Sequence, residues 1–451
     1  MSRAQSARSA RGGRRVLRSA CIAAIALVAA LLVGTPGGSD DTQPRLLRVG
    51  TSGDYPPFSR AAGRDGTRFE GFDAALASAF AADRGFRVEF VRFRWPRLIA
   101  ELAAGRFDVA MSGVTIGPER SAAGRFTVPV VESGAVVVIT DAERFPDKSA
   151  LDHPRIRVGV NAGGHLESVA RSLLPGVTLL AIPDNDAVLR ALLDARLDAA
   201  VSDSMEAAVW QRDAANLTQL GPYTRDRKAL LVHPEQAALA AELDAWLLEE
   251  ERDGSLSRLR SEHLGEAAGA QRTATPLGAL IAAVDERLAL MPWIAVSKRR
   301  SGLPLEIPER ETAVLDAAAA EVLQVAQAKR AAPPPFLAIR NFHRALFEAA
   351  KELQRKAARD PSAAPEAGVP DLETTLRPAL DRIADRIARL VLELPRDLQR
   401  DAVREAVAAG IRTQGVSDRS KRAIADAIPP LGRSAEHPVA PSARTPDARG
   451  Q

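Results

Sequence analysis

The feature that most constrains this chain is a change of period partway along it. From Leu46 to Glu251 short apolar or alternating runs recur, each followed by a stretch with helical spacing. From Thr275 onward the runs stop and apolar residues recur only at helical intervals. Strand–helix alternation gives mainly parallel sheets whose ligand loops lie at the strand carboxyl ends. A chain of 451 residues also exceeds what one core can hold. The expected architecture is therefore an α/β two-lobed domain followed by an all-α helical domain.

The alternating part divides into two sets. In the first, Leu46–Gly50, Arg87–Arg92 and Phe107–Met111 read as strands, with helices at Gly71–Phe80 and from Trp95. In the second, Arg157–Val160, Thr178–Ile182 and Leu197–Val201 read as strands, with helices at Leu166–Leu174 and Asp186–Ala195. A return strand, Ala229–His233, and a long helix, Glu235–Glu251, close the region. This predicts one lobe over about 45–140 and 230–268 and a second over about 141–229, with a cleft between them. Phe107–Ser121 then draws attention as a binding element. It runs from a buried strand into Ser112, Gly113 and Thr115 and ends at Arg120. Small residues at a strand end expose backbone N–H groups, and a guanidinium fork suits a carboxylate held bidentately.

The net charge of +4 misleads. Six arginines lie before Ser19 and no acidic residue precedes Asp40, so the remainder carries −2 and gives no argument for nucleic acid. Those arginines, the apolar run Ala20–Val33 and Gly34–Ser39 form the layout of a secretory signal, expected over residues 1–38. Its apolar run is short for a spanning helix, although an uncleaved membrane anchor is the alternative. A periplasmic location with no stable membrane span after cleavage follows. Cys21 is the only cysteine, so no intrachain disulfide can form, and the six histidines show no metal-ligand spacing. No metal or other cofactor is expected.

The segments GDYPPFS (from Gly53), Trp95-Pro96, AMSGVTIGPER (from Ala110), Asn161–Gly164, Pro183–Asn185 and SDSMEA (from Ser202) resemble the periplasmic solute-binding proteins for polar amino acids. In detail they are similar to that superfamily's enzymatic branch, the cyclohexadienyl (prephenate/arogenate) dehydratases. The resemblance covers roughly residues 45–268. It implies Glu206 as the general acid and a carboxylate clamp of Arg120, Ser112 and Thr115, with Asn161, Gly163 and Gly164 nearby. Asp54 and Trp95 would line the opposite wall. Asp203 lies where amino-acid binders carry the carboxylate that meets a ligand's ammonium. The amino-acid receptor of a transporter, with a helical appendage and no turnover, is therefore the competing expectation. His165 departs from the dehydratase pattern, where a small hydroxyl residue is usual.

In the helical part, expected over 275–430, helices are predicted at Leu277–Leu290, Glu311–Ala328, Phe336–Ala357 and Leu372–Leu394, with a disordered tail over 431–451. Arg287 and Lys298 are eleven residues apart, a spacing that puts both on one helical face, although Pro292 between them argues for a kink. VDERLALMPWIAVSKRRSGLPLEIPERETAVL with FHRALFEAAKELQ resembles the all-helical chorismate mutases, and PDLETTLRPALDRIADRIARL resembles their secreted gamma class. That resemblance implies carboxylate binding by Arg287, Arg310 and Arg377, Lys298 and Gln354 at the ether oxygen, and Glu311 at the ring hydroxyl. Ile307 stands where that pattern has an aspartate, and Ala350 where it often has a hydroxyl residue. Together the two resemblances imply a bifunctional secreted enzyme of phenylalanine biosynthesis. Its partners would be small molecules only: chorismate, and prephenate or arogenate.

Overall fold

The computed structural model describes residues 44–63, 68–306, 308–360 and 368–432, with the side chains of 308–310 excepted. The expected signal, Ile307, the side chain of Arg310, most of the Pro361–Pro370 linker and the tail from 433 lie outside the described residues.

Two five-stranded sheets form the α/β region. The first runs in the order Phe86–Arg92, Arg45–Thr51, Val109–Ala110, Leu231–Val232, Arg125–Phe126. Val49 pairs in parallel with Val109, whereas Leu231 is antiparallel to both Ala110 and Phe126. The first lobe is thus built from two separate stretches of chain. The second sheet runs Thr178–Ile182, Arg157–Asn161, Ala199–Asp203, Ala135–Ile139, Thr218–Leu220, with its first three strands parallel. Val137 and Ile139 pack into a core on one face and Val136 and Val138 into a core on the other. This explains the unbroken apolar run from Ala135, because a strand covered on both faces has no polar side.

That strand belongs to the second lobe, so the chain crosses before the expected boundary at 140. The crossing is a two-stranded ribbon, Val131–Ser133 antiparallel to Asp226–Lys228. A run apolar on both faces carries no mark of which sheet it joins.

The helical part comprises Pro276–Ala289, Met291–Arg300, Pro308–Ala328, Phe336–Arg359, Arg377–Val391, Arg400–Gly410 and Asp418–Ala427. The last two were not foreseen. Each buries only a thin stripe, such as Val403, Val407 and Ile411 at four-residue intervals, against a strongly polar background. Leu431 is buried too, so the first residue of the expected tail belongs to the fold.

The helices share a core with the first lobe. One apolar cluster runs from Leu47, Phe80 and Trp246 through Leu280 and Leu288 to Phe342, Ile383 and Val407. Arginines of the 377–391 helix reinforce the junction by donating to lobe carbonyls. Arg382 reaches Ala122 at 2.8 Å and Gly124 at 3.1 Å. Arg386 reaches Phe126 and Thr127 and pairs with buried Glu286. Arg389 meets Asp244 at 3.2 Å, and Asp244 also accepts from the Val128 amide at 2.8 Å.

Removing one partner of a buried ion pair costs about 3–5 kcal/mol because the other charge is stranded. Arg386→Ala should therefore lower stability by about 3 kcal/mol or more in urea titrations. Arg386→Met with Glu286→Gln should recover much of the loss. Recovery of none of it would mean that the carbonyl contacts dominate.

Candidate functional site

The cleft is assembled from strand ends of both lobes. On the first lobe the chain leaves Val109–Ala110 through Ser112 and Gly113. Gly113 has φ +61, and a Cβ there would lie 2.7 Å from the Phe58 ring, so only glycine fits. Its amide donates to the carboxyl of Asp73 at 2.5 Å. Asp73 is buried, and desolvation pushes its pKa up to about 7 against the opposing pull of the Gly113 amide and Lys228.

Arg120 lies in the short helix Pro118–Ala123. It is buried, donates to the Thr115 carbonyl at 2.9 Å and sits 5.8 Å over the Trp95 ring. Desolvation lowers its pKa to about 10, partly offset by Glu119 and Asp226, so it remains a cation at neutral pH. Among the described residues no carboxylate forms an ion pair with it, and its guanidinium lines the cavity with Trp95 and Thr115.

Ser112 does not join this clamp. Its hydroxyl is fully buried against Ser52, 2.9 Å from that hydroxyl and 3.1 Å from that amide, and it ties two strand ends together. Gly163 is likewise no free donor, since its amide donates to Glu167 at 2.7 Å. Its role is clearance: with φ +71, a Cβ would meet Pro96 of the other lobe at 2.8 Å. Asn161 and Gly164 do line the cavity.

The second lobe contributes Asp203 and Glu206. Asp203 ends its strand and caps the helix Ser204–Asp213, with Oδ1 accepting from the amides of Met205 and Glu206 at 2.8 and 3.0 Å. Its Oδ2 accepts from Tyr55 and lies 2.9 Å from the Lys228 ammonium. Lys228 also reaches Thr115 Oγ1 at 2.9 Å and Tyr55 Oη at 3.1 Å, so its three protons have three acceptors. Asp203 and Lys228 are both buried and fully partnered, which leaves Asp203 nothing to offer a ligand's ammonium.

Glu206 lies one helical turn on, also buried. Asn185 donates to its Oε1 at 2.6 Å, and the Ser202 hydroxyl lies 2.5 Å from its Oε2. Desolvation, with the negative charges of Asp203 and Asp54, raises its pKa well above the carboxylate range despite those hydrogen bonds. Burial and those charges thus favour its protonated form. Its carboxyl lies behind Asn185, which lines the cavity. Asp54 meets the site through its carbonyl, which accepts from Asn185 at 2.9 Å, while its own Oδ1 is buried without a hydrogen-bond partner among the described residues.

The lobes are closed over this site. Tyr55 to Asp203 and Asn185 to Asp54 cross the cleft, and His165 lies 3.2 Å from Asp226 of the ribbon. The cavity left is about 30 Å³, room for about one water, so a ring-sized ligand enters only when the lobes part. Tyr55, Asp73 and Lys228 were missed in the sequence. Tyr55 lay within the quoted GDYPPFS. Lys228 carried no signal beyond being a lone lysine ahead of an apolar strand.

In the helical part, Lys298 donates to Gln354 Oε1 at 2.9 Å and to the Leu305 carbonyl at 2.8 Å. Its pKa is lowered by desolvation and by nearby Arg377, with Glu306 opposing. Glu311 is engaged by Lys351 at 3.3 Å, and half-exposed Arg377 by Glu373 at 2.5 Å. Arg287 does not share a face with Lys298. The helix breaks at Leu290, just before Pro292, so the eleven-residue spacing does not run along one axis. Arg287 lines a separate cavity of about 330 Å³ with Glu321, His343 and Asp381. Burial, with Arg287 adding to it, drives His343 down to about 4, so it is neutral. Among the described residues no helix is long and apolar enough to cross a membrane, and no His/Cys/Asp/Glu cluster could hold a metal.

Residues 47–266 match the sequence profile of the bacterial extracellular solute-binding proteins, family 3. The cyclohexadienyl dehydratase of Pseudomonas aeruginosa is 33% identical over 223 residues, spanning 48% of this chain and 82% of that protein. The L-cystine-binding protein of Escherichia coli K12 is 27% identical over 259 residues, spanning 56% of this chain and 96% of that protein. A crystal structure of an ancestral amino acid-binding protein, described as a precursor of cyclohexadienyl dehydratase, superposes with a TM-score of 0.46 at 30% identity, over 49% of this chain and 95% of its own.

The native state holds the Asp73 proton more tightly than the unfolded chain does. That contribution is complete below the ordinary carboxylate range and fades as pH rises through about 7. Asp73→Asn keeps an acceptor for Gly113 and has nothing to ionise. The thermal midpoint of the variant should gain on wild type between pH 5.5 and 8.5, and a constant difference would contradict the assignment.

Proposed function

The chain belongs, through residues 47–266, to the bacterial extracellular solute-binding proteins, family 3, and on that footing we propose that its cleft is a dehydratase site acting on prephenate. The observation that carries this reading is Glu206, a buried carboxyl behind Asn185 of the closed cleft, whose protonated form is favoured by desolvation and by Asp203 beside it. A receptor has no use for such a group, whereas elimination of a ring hydroxyl needs an acid placed in a dry site. The likeness to the Pseudomonas dehydratase supports the same reading.

In the proposed reaction Arg120 grips one substrate carboxylate. The ring hydroxyl takes the place of the Asn185 amide at Glu206 and accepts its proton. As the C–O bond breaks and water leaves, the ring carboxylate departs as carbon dioxide. The electron pair of its C–C bond completes the aromatic ring, giving phenylpyruvate. The family also contains amino-acid receptors such as the cystine-binding protein. The Lys228–Asp203 pair speaks against that function here, because the carboxylate suited to an α-ammonium is already neutralised at 2.9 Å. For the same reason the 2-oxo acid prephenate is the better substrate than the amino acid arogenate.

We further propose that the helical part converts chorismate to prephenate and so supplies the cleft. The step is a one-stage rearrangement that needs a held dianion and a cation at the ether oxygen, with no nucleophile. Lys298 beside Gln354 suits that oxygen, and Arg310 and Arg377 suit the carboxylates. The secretory layout of the leader and membership of an extracellular family support a periplasmic location, and phenylpyruvate as product suits phenylalanine biosynthesis.

A coupled assay from chorismate to phenylpyruvate tests the whole scheme. Glu206→Gln should lower dehydration at least 100-fold, in line with a general acid's usual share, and spare chorismate consumption. Arg310→Ala should do the reverse. Wild-type dehydration should weaken as rising pH ionises Glu206. Lys228→Met should cut prephenate turnover at least tenfold and let an α-amino acid bind in calorimetry. An amino acid binding wild type, with prephenate untouched, would replace the enzyme with a receptor.

A further inference from the structure

The strand Asp226–Lys228 has two faces, and they serve two different parts of the molecule. Successive side chains of a strand point to opposite sides. Asp226 and Lys228 face the cleft, the first 3.2 Å from His165 and the second bound to Asp203, Tyr55 and Thr115. Arg227, between them, turns the other way and is nearly buried against the helical part. It donates to Asp285 Oδ2 at 2.8 Å and to the Gly410 carbonyl at 2.5 Å. Asp285 is held in turn, its Oδ1 accepting from the amides of Arg412 and Thr413 at 2.9 and 2.8 Å and from the Thr413 hydroxyl at 2.8 Å. Arg412 reaches back to Glu132 on the other ribbon strand. The Arg227 carbonyl accepts from the Ile116 amide at 2.9 Å, next to Thr115.

We infer that Asp285, through Arg227, is a positioning residue for the cleft: the helical part clamps the crossover ribbon and so fixes where Lys228 and Thr115 stand in the ligand site. Both crossings between the lobes pass through this ribbon, so a clamp on it acts at the place the lobes must pivot. The clamp includes Arg227, Asp285, Arg412 and Glu132, two of each sign, and is closed off from most solvent. Asp285 also begins the sequence Asp285-Glu286-Arg287, whose members face three ways: to the ribbon, to Arg386 at the lobe junction, and to the helical cavity. This role rests on the cleft being the ligand site, and its catalytic readout on the dehydratase reading above.

Asp285→Asn separates this role from folding, since the amide oxygen can still accept from Arg412 and Thr413 while its NH₂ cannot accept from Arg227. Arg227→Gln removes the other partner. In the full-length protein each should lower kcat/KM for prephenate about tenfold, chiefly through KM. The double variant should be no worse than either single, because both break one link. Hydrogen–deuterium exchange at 226–228 should quicken while that at 157–161 stays as in wild type. Wild-type KM and exchange in both singles overturn the inference, whether or not the thermal midpoint falls, and so do losses that multiply in the double. If wild type leaves prephenate untouched, the functional proposal fails and the exchange measurement alone decides this one: quickened exchange at the ribbon supports the clamp, and unchanged exchange overturns it.

Discussion

The site depends on one buried ion pair. Lys228 and Asp203 meet at 2.9 Å with almost no exposure, and each is tolerable there only because every polar atom finds a partner. Tyr55 and Thr115 complete the lysine's shell, and helix amides complete the aspartate's. The pair joins the crossover ribbon to the second lobe, and Tyr55 brings in the first. It also sets the electrostatics around it: Asp203 helps to keep the Glu206 proton in place, and Lys228 tempers Asp73. Beside this pair, Arg120 remains a cation with no ion-paired carboxylate among the described residues, and the protonated form of Glu206 is favoured.

The helical part is joined to the lobe by more than a tether. Its arginines end on backbone carbonyls between 122 and 127, at the end of the helix that carries Arg120 and just beyond it, and on the acids of the ribbon and the 237–253 helix. Guanidinium groups suit this use because they offer several donors in a rigid plane and stay charged when half buried. With the apolar core continuous beneath them, the lobe and the helices are one packed body.

Much of this was legible in the chain. Strand and helix periods located most sheet strands of the lobes but not Arg125–Phe126, Ala135–Ile139 or Thr218–Leu220, since a period shows clearly only in a run long enough to repeat and a strand covered on both faces has none. The strand-end motif picked out Arg120 and Thr115, and the family resemblance carried by Ser202–Ala207 picked out Asp203 and Glu206. The helical segments with broad apolar faces were readable, whereas Arg400–Gly410 and Asp418–Ala427 were not, because a narrow stripe in a charged background looks like a solvated loop.

Sequence alone thus determined the layer types, the change to all-helix after residue 270 and the strand ends where ligand groups would gather, because these follow from local periodicity and from which residue types tolerate burial. Only the tertiary structure decided which candidates face the cleft. Ser112 and the Gly163 amide are spent on internal bonds, and Arg287 turns from Lys298 at the Leu290–Pro292 break. Lys228, distant in sequence from every motif, pairs with Asp203. Whether a carboxylate is free, paired or protonated depends on what the fold brings within hydrogen-bond distance, and no spacing along the chain encodes that.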